Sequence, residues 1–422
     1  MRQVSIIALA LLLMVVSFGP VNAETELEVS GQVRARAEFD DRGFDPDMKW
    51  QQYNLLRTRL GLKALIDNNT EVFVQVQDSR TLGDTTYLGE AASGGLNDGK
   101  NVDMHQAYVK INRLWVDHLG VKAGRFELNF GNQRVFGAVG WHNVGRAWEG
   151  LLARYDFPAF TVNGFVLKSL EVNADDGNRD FDIYGLYTGI ERCNLDLFFF
   201  YENDANVSYV TDIRDLKRYN LGMYYKRQCC ALDFEINGAY QFGTRAVPQP
   251  AMNEELDIAA FMFTFEAGYT FEGEAGVRLA AGVDYSSGDD DPDDSDYKAY
   301  SNSYYTGHKF RGYMDYFITS DTCGLMDLML RAQFSPAKDW LLKADFHYFS
   351  AAADYTDFSY DETKDIGMEI DVSLSTTSVA GVVIDAGAAM FLPSESFAGM
   401  DDPDPGLWFY TALTANIPSM KL

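Results

Sequence analysis

Residues 124–150 read GRFELNFGNQRVFGAVGWHNVGRAWEG, with arginine, glutamate, histidine, tryptophan and asparagine set among glycines. An active site and a constriction that handles a polar solute both use these ingredients. Catalysis finds little support elsewhere. The five histidines, at 105, 118, 142, 308 and 347, include no HExxH-type metal pair. His347 falls in a strand pattern but has no serine motif beside it to act as the nucleophile of a barrel hydrolase. The loop DDDPDDSDYKAY (289–300) places aspartates at the first, third and fifth positions of a calcium loop. Asp294 stands where the turn glycine is required, and Tyr300 where the closing glutamate is required. A solvated acidic loop with weak cation attraction is the expectation. No catalytic residue, metal ligand or cofactor is assigned, and no enzyme is expected.

The elements that must position these residues follow from composition and pattern. Net charge is −27, with 62 acidic against 35 basic residues, which excludes nucleic acid as a partner because phosphate binding needs a basic face. The chain is nevertheless 47% hydrophobic and 14% aromatic, with 24 Tyr and 29 Phe. It begins MRQVSIIALALLLMVVSFGPVNA, the layout of a cleaved secretory signal over residues 1–23, with a mature domain over 24–422. Beyond that segment no apolar run reaches the length of about 18 residues that a membrane helix needs. An exported chain rich in tyrosine, phenylalanine and glycine fits a transmembrane β-barrel. A soluble secreted β-protein is the alternative on composition alone.

Period-two alternation decides between them. In VSGQVRARAE, Val29, Val33, Ala35 and Ala37 oppose Gln32, Arg34 and Arg36; in NLLRTRLGLKALI, Leu56, Leu60, Leu62 and Ala64 oppose Arg57, Arg59, Gly61 and Lys63. Similar segments recur along the chain and give about 18 antiparallel strands of membrane-spanning length. The connectors alternate strictly. Short ones such as 67–70, 158–159 and 336–339 read as periplasmic turns, and long ones (39–53, 80–102, 127–149, 169–180, 204–217, 243–255, 287–326, 350–363 and 393–406) read as extracellular loops. This parity requires RGYMDYF (311–317) to lie inside a loop. The expected fold is therefore an all-β transmembrane barrel of about 18 strands. Aspartate clusters at 40–47, 289–296 and 401–405 fall in its outer loops, and Trp50, Trp340 and Trp408 fall near strand ends as girdle residues. Cys193 and the Cys229-Cys230 pair fall at the periplasmic ends of neighbouring strands, where a disulfide or free thiols are both open; Cys323 lies in an outer loop.

The stretch GRFELNFGNQRVFGAVGWHNVGRAWEGLLARYDF (124–157) resembles the signature of the alginate-export family of bacterial outer-membrane barrels. YYTGHKFRGYMDYF (304–317), IGMEIDVSL (366–374) and AGAAMFLPSESF (386–397) resemble further segments of that family. The resemblance implies an 18-stranded barrel in the outer membrane of a Gram-negative bacterium. Inward-folded loops would narrow its lumen, which would pass a polar solute or an anionic polysaccharide such as alginate. The implied surroundings are outer-membrane lipid and lipopolysaccharide around a monomeric barrel. Arg34, Arg36, Arg57, Arg59, Arg125, Arg134, Arg146, Arg154 and Arg331 are the candidate residues of the lumen and constriction. Inward phases also carry acids, among them Glu28, Glu38, Asp284, Asp327, Glu369 and Asp371. Each arginine is thus open to two roles, contact with solute or pairing with an acid across the wall. A general porin for small solutes, or a non-conducting surface barrel, is the alternative function.

Overall fold

The computed structural model describes residues 24–421 apart from 46, 48–49, 83–101, 172–179, 206–213, 250–251, 292 and 319–321. The signal segment 1–23 and most of the loops expected over 80–102, 169–180 and 204–217 lie outside the described residues.

Eighteen strands run up and down in chain order. They are β1 (Thr25–Asp41), β2 (Gln51–Ile66), β3 (Thr70–Thr81), β4 (Asp103–Ile111), β5 (Leu119–Phe126), β6 (Trp148–Asp156), β7 (Thr161–Leu170), β8 (Phe181–Ile190) and β9 (Leu195–Asp204). They continue with β10 (Arg214–Cys229), β11 (Leu232–Gln249), β12 (Met252–Thr270), β13 (Arg278–Ser286), β14 (Leu325–Phe334), β15 (Trp340–Thr356), β16 (Glu362–Val379), β17 (Val382–Pro393) and β18 (Gly406–Lys421). Each pairs antiparallel with its sequence neighbours, and β1 pairs with β18 from Glu28↔Lys421 to Asp41↔Leu407, which closes the sheet. Closure removes the unpaired edge that a membrane would not tolerate. A two-residue bridge, Asp296–Tyr297, adds to the outer end of β12.

Alternation sorts the two faces. Leu60, Leu151, Leu186, Leu221, Phe263, Leu330 and Leu413 point outward and are exposed, an apolar belt suited to lipid. At the extracellular side of this belt Tyr184↔Tyr201↔Tyr219↔Phe242 stand opposite one another in register and stack across four strands. Trp50 stacks on Phe409 at the same end, and the partly exposed Trp340 begins β15 at the other. Trp408 departs from the girdle expectation: it is fully buried, faces the lumen and donates its indole N–H to Glu38 at 3.0 Å.

Short turns gather at the end where β1 starts and β18 finishes, and longer connections gather at the opposite end. Two connections expected as long loops are mostly strand. β11 and β12 stay paired out to Gln249↔Met252, and β15 and β16 out to Thr356↔Glu362. The first extension has a physical support that local sequence hides: the bridge at Asp296–Tyr297 braces it, and the Arg245 guanidinium lies 4.0 Å over the Tyr297 ring. Among the described residues Cys193, Cys229 and Cys230 are free thiols, exposed in adjacent short turns.

Leu330 sits near the middle of β14 on the outer face and is 59% exposed. Leu330→Arg is expected to destabilise the barrel by about 2–4 kcal/mol in lipid vesicles, as a charge at the midplane does. Urea unfolding of the vesicle-inserted protein measures this. A change within about 0.5 kcal/mol, the usual result at a water-exposed surface, would place that face in water.

Candidate solute pathway and its two folded-in loops

The first inner loop, residues 127–147 between β5 and β6, folds into the lumen. There it has no ladder partner, so its buried carbonyls need donors from the wall. Four arginines of β1 and β2 supply most of them. Arg34 reaches the Gly140 carbonyl at 3.0 Å and the His142 carbonyl at 3.3 Å, and Arg57 reaches the same two carbonyls at 3.1 Å each. Arg36 donates to the Trp141 carbonyl at 2.7 Å and lies 4.0 Å over the Trp141 ring. Arg59 donates to the Val144 carbonyl and to Glu127. Gln77 and Ser79 of β3 add bonds of 2.8 Å to the carbonyls of Val144 and Asn143. Every carbonyl from Gly140 to Val144 is thereby capped. Arginine suits this task because its planar fork holds several donors in fixed geometry.

The second inner segment, residues 298–318, lies between β13 and β14 and includes 311–317, as the loop parity required. It clamps the first loop. Gly137 donates to the Tyr304 carbonyl at 2.9 Å, Thr306 donates to the Gln133 carbonyl at 3.0 Å, and Lys309 caps the Asn132 carbonyl at 3.0 Å. His308 stacks on Trp141 with centroids 4.3 Å apart. Behind this contact Phe136, Trp148, Tyr304, Phe165 and Phe200 form one buried aromatic cluster. The segment is also pinned to the wall. Arg311 and Arg134 share the fully buried Asp284, and Tyr304 donates to Glu202, which also holds Arg218 at 2.7 Å. The amides of Tyr313 and Met314 donate to Asp371 and Glu369. Gly312 is required there: its φ is +78°, and a Cβ would fall 2.5 Å from the Glu369 carboxylate.

Below the clamp, toward the short-turn end, a cavity of about 860 Å³ opens in the lumen. Trp141, His308 and Tyr313 roof it, and its sides carry both charges. Arg278 bridges Asp233 at 2.5 Å and Glu266 at 2.8 Å; Arg331 holds Glu266 at 3.0 Å and donates to the Phe310 carbonyl at 3.2 Å. The solvent-facing share is more basic than the count of charges. Lys226 is 62% exposed while its partner Glu235 is 26% exposed, and Lys343 is exposed. Farther round the wall Lys63 is twice as exposed as its partner Glu28, at 32% against 15%.

The candidate arginines thus divide. Arg34, Arg36, Arg57 and Arg59 are loop anchors, Arg134 belongs to the Asp284 cluster, and Arg146 donates to the Tyr305 carbonyl at 3.4 Å. Arg331 lines the cavity. Arg154 faces the lumen at the periplasmic end, 54% exposed beside Asp156. Arg125 is not lumenal: the buried Phe126 next to it faces inward, and Arg125 pairs on the outer face with Glu149 at 2.7 Å. The ladder runs unbroken through Gly124, so Arg125 keeps the alternation that turns Lys122 and Phe126 inward. Arg311, Glu202, Tyr304 and Lys309 were not singled out from sequence. Three of them lie in the segment 304–317, whose place inside a loop gave no sign that the loop is buried.

The histidines have structural partners. His105 meets Glu127 at 2.7 Å, His308 meets Asp315 at 2.8 Å, and His347, 1% exposed, meets Asp327 at 2.9 Å. The acidic loop carries its own cation, since Lys298 pairs with Asp290 at 2.7 Å and Asp294 at 3.2 Å. Among the described residues no group of three or more His, Cys, Asp or Glu is placed to hold a metal. Burial pushes the Glu127 carboxyl up, but the His105 hydrogen bond and the Arg59 charge outweigh it and hold the group below its ordinary range.

A closed, nearly all-β barrel of 18 antiparallel strands with an apolar belt and folded-in loops defines an outer-membrane channel. The chain belongs to the alginate export family, whose model matches residues 25–398. No curated protein sequence matches it. Solved structures similar in fold are Pseudomonas aeruginosa OccK9 (OpdG), with a TM-score of 0.62 at 12% identity over 94% of this chain and 99% of that one. Acinetobacter baumannii OccAB1 follows, at 0.59 and 11% over 93% and 97%. Pseudomonas aeruginosa OccK1 (OpdK) aligns at 0.59 and 10% over 93% and 99%.

Asp284→Ala leaves two buried guanidiniums without their carboxylate and is expected to cost on the order of 3–5 kcal/mol. Glu149→Ala, which breaks the exposed pair with Arg125, is expected to cost about 0–1 kcal/mol. Denaturant unfolding compares the two, and equal costs would contradict the anchoring role of Asp284. A lowered folded-state pKa stabilises above the free carboxyl range and is lost only as pH falls through the lower folded value. Opening noise in single-channel records is therefore expected to stay low through the ordinary carboxyl range. Below that it should rise, and Glu127→Gln should show the rise already at pH 7.

Proposed function

We propose that the chain passes anionic polar solutes by diffusion, and that a carboxylated polysaccharide of the alginate type is the cargo. The observation that carries this reading is the asymmetry of exposure in the lower lumen. Lys226 and Lys343 are exposed, while the acids around them are half-buried, with Asp233 and Glu266 paired to Arg278 and Arg331. A polyanion meets spaced, separately weak cations, which lets it bind and move on. Family membership supports the same direction. The barrel closes through β1 and β18 of one chain, so each copy holds a whole lumen, and a monomer suffices. Residues 1–23 would direct export to the envelope.

The competing reading is a general porin for small polar solutes, favoured by the number of acids that line the same cavity. Planar-bilayer recordings under a salt gradient separate them. The expected reversal potential lies on the anion side, oligouronates block the current at one face, and Lys226→Gln with Lys343→Gln moves the reversal toward zero and relieves the block. Cation preference together with indifference to oligouronates would overturn the polysaccharide reading.

A further inference from the structure

A second cavity, of about 290 Å³, lies between the outer ends of β13–β16 and the segment 298–318 and shares no lining residue with the lower one. Its walls are largely apolar, with Phe317, Leu325, Ala351, Ile366 and Phe397. Its polar end is built from Arg311 and Tyr300. Two features of that end lack an internal explanation.

The first is the Arg311 guanidinium, which shares one carboxylate, Asp284, with Arg134; the Arg134, Arg311 and Asp284 side chains are 8%, 3% and 1% exposed. Arg311 commits Nε and Nη2 to Asp284 and Ser286. With the Asn302 amide turned to face it, Nη1 meets that oxygen at 2.9 Å, which leaves its second hydrogen over. The second feature is Tyr300. It is 4% exposed, and among the described residues its hydroxyl has no hydrogen-bond partner. The hydroxyls of Tyr304 and Tyr305 in the same segment both have one.

We propose that this cavity binds a small amphipathic anion, one carboxylate on a compact apolar body, from the extracellular side. The carboxylate would take the spare Arg311 donor and the Tyr300 hydroxyl, while the body fills the apolar walls. The volume is at the lower end of ligand pockets, about 300 Å³, and admits one small molecule but no polymer. The site therefore stands independently of the polysaccharide reading.

Calorimetric titration of the purified barrel with cyclohexanecarboxylate tests it, against cyclohexylmethanol (no charge) and acetate (no apolar body). Saturable binding of the first, at least about tenfold tighter than either control, is expected. Tyr300→Phe should weaken it several-fold, and Ala351→Leu, which fills the cavity, should abolish it while the heat-modifiable gel mobility of a folded barrel persists. No saturable heat with the wild-type protein, equal binding of the alcohol, or unchanged affinity in both variants overturns the proposal.

Discussion

A backbone segment that enters the lumen of a barrel brings carbonyls with no strand to pair with, and the rest of this structure follows from how they are capped. Leaving such a group buried and unmet costs about 1–3 kcal/mol each. Here five consecutive carbonyls, Gly140 to Val144, receive donors from β1, β2 and β3. The arginine row that alternation placed inside the barrel is mainly the complement of this loop backbone. The second segment then rests on the first through the Gly137–Tyr304 and Thr306–Gln133 backbone bonds and the Trp141–His308 stack.

This division of labour separates two populations of lumenal charge. Arginines at the upper wall are buried, with Arg34, Arg36 and Arg57 each 4–6% exposed, and they meet loop carbonyls. Lysines lower down are exposed beside better-shielded acids. A formal charge of −27 therefore says little about the pathway, because aspartates of the outer loops, such as those paired with Lys298, carry part of it.

Much of the fold was legible in the sequence. Period two with charge on one face located all 18 strands, and loop parity oriented them and put 311–317 in a loop. Long-range partners were not legible. Trp408 sits at a strand end like a girdle residue, yet Glu38, 370 positions away, draws it inward. Arg125 belongs to β5, where it alternates with the inward Phe126, and not to the loop with which its sequence groups it. Hairpin extensions at 243–255 and 350–363 follow from pairing that continues past the barrel rim, and polar residues alone do not distinguish that from a loop. Arg34, Arg36, Arg57 and Arg59 meet backbone carbonyls of the folded-in loop, and a carbonyl carries no sequence signal.

The most direct test removes the capped segment itself. Ala138 and Arg146 already meet through a 2.8 Å backbone hydrogen bond, so residues 139–145 can be excised with their flanks in place. Single-channel recording of that deletion should show a conductance several-fold above wild type and a shift toward anion preference, as Arg34, Arg36, Arg57 and Arg59 lose their carbonyls and face water. Conductance and selectivity equal to wild type would contradict the claim that this loop narrows the lumen and occupies those arginines.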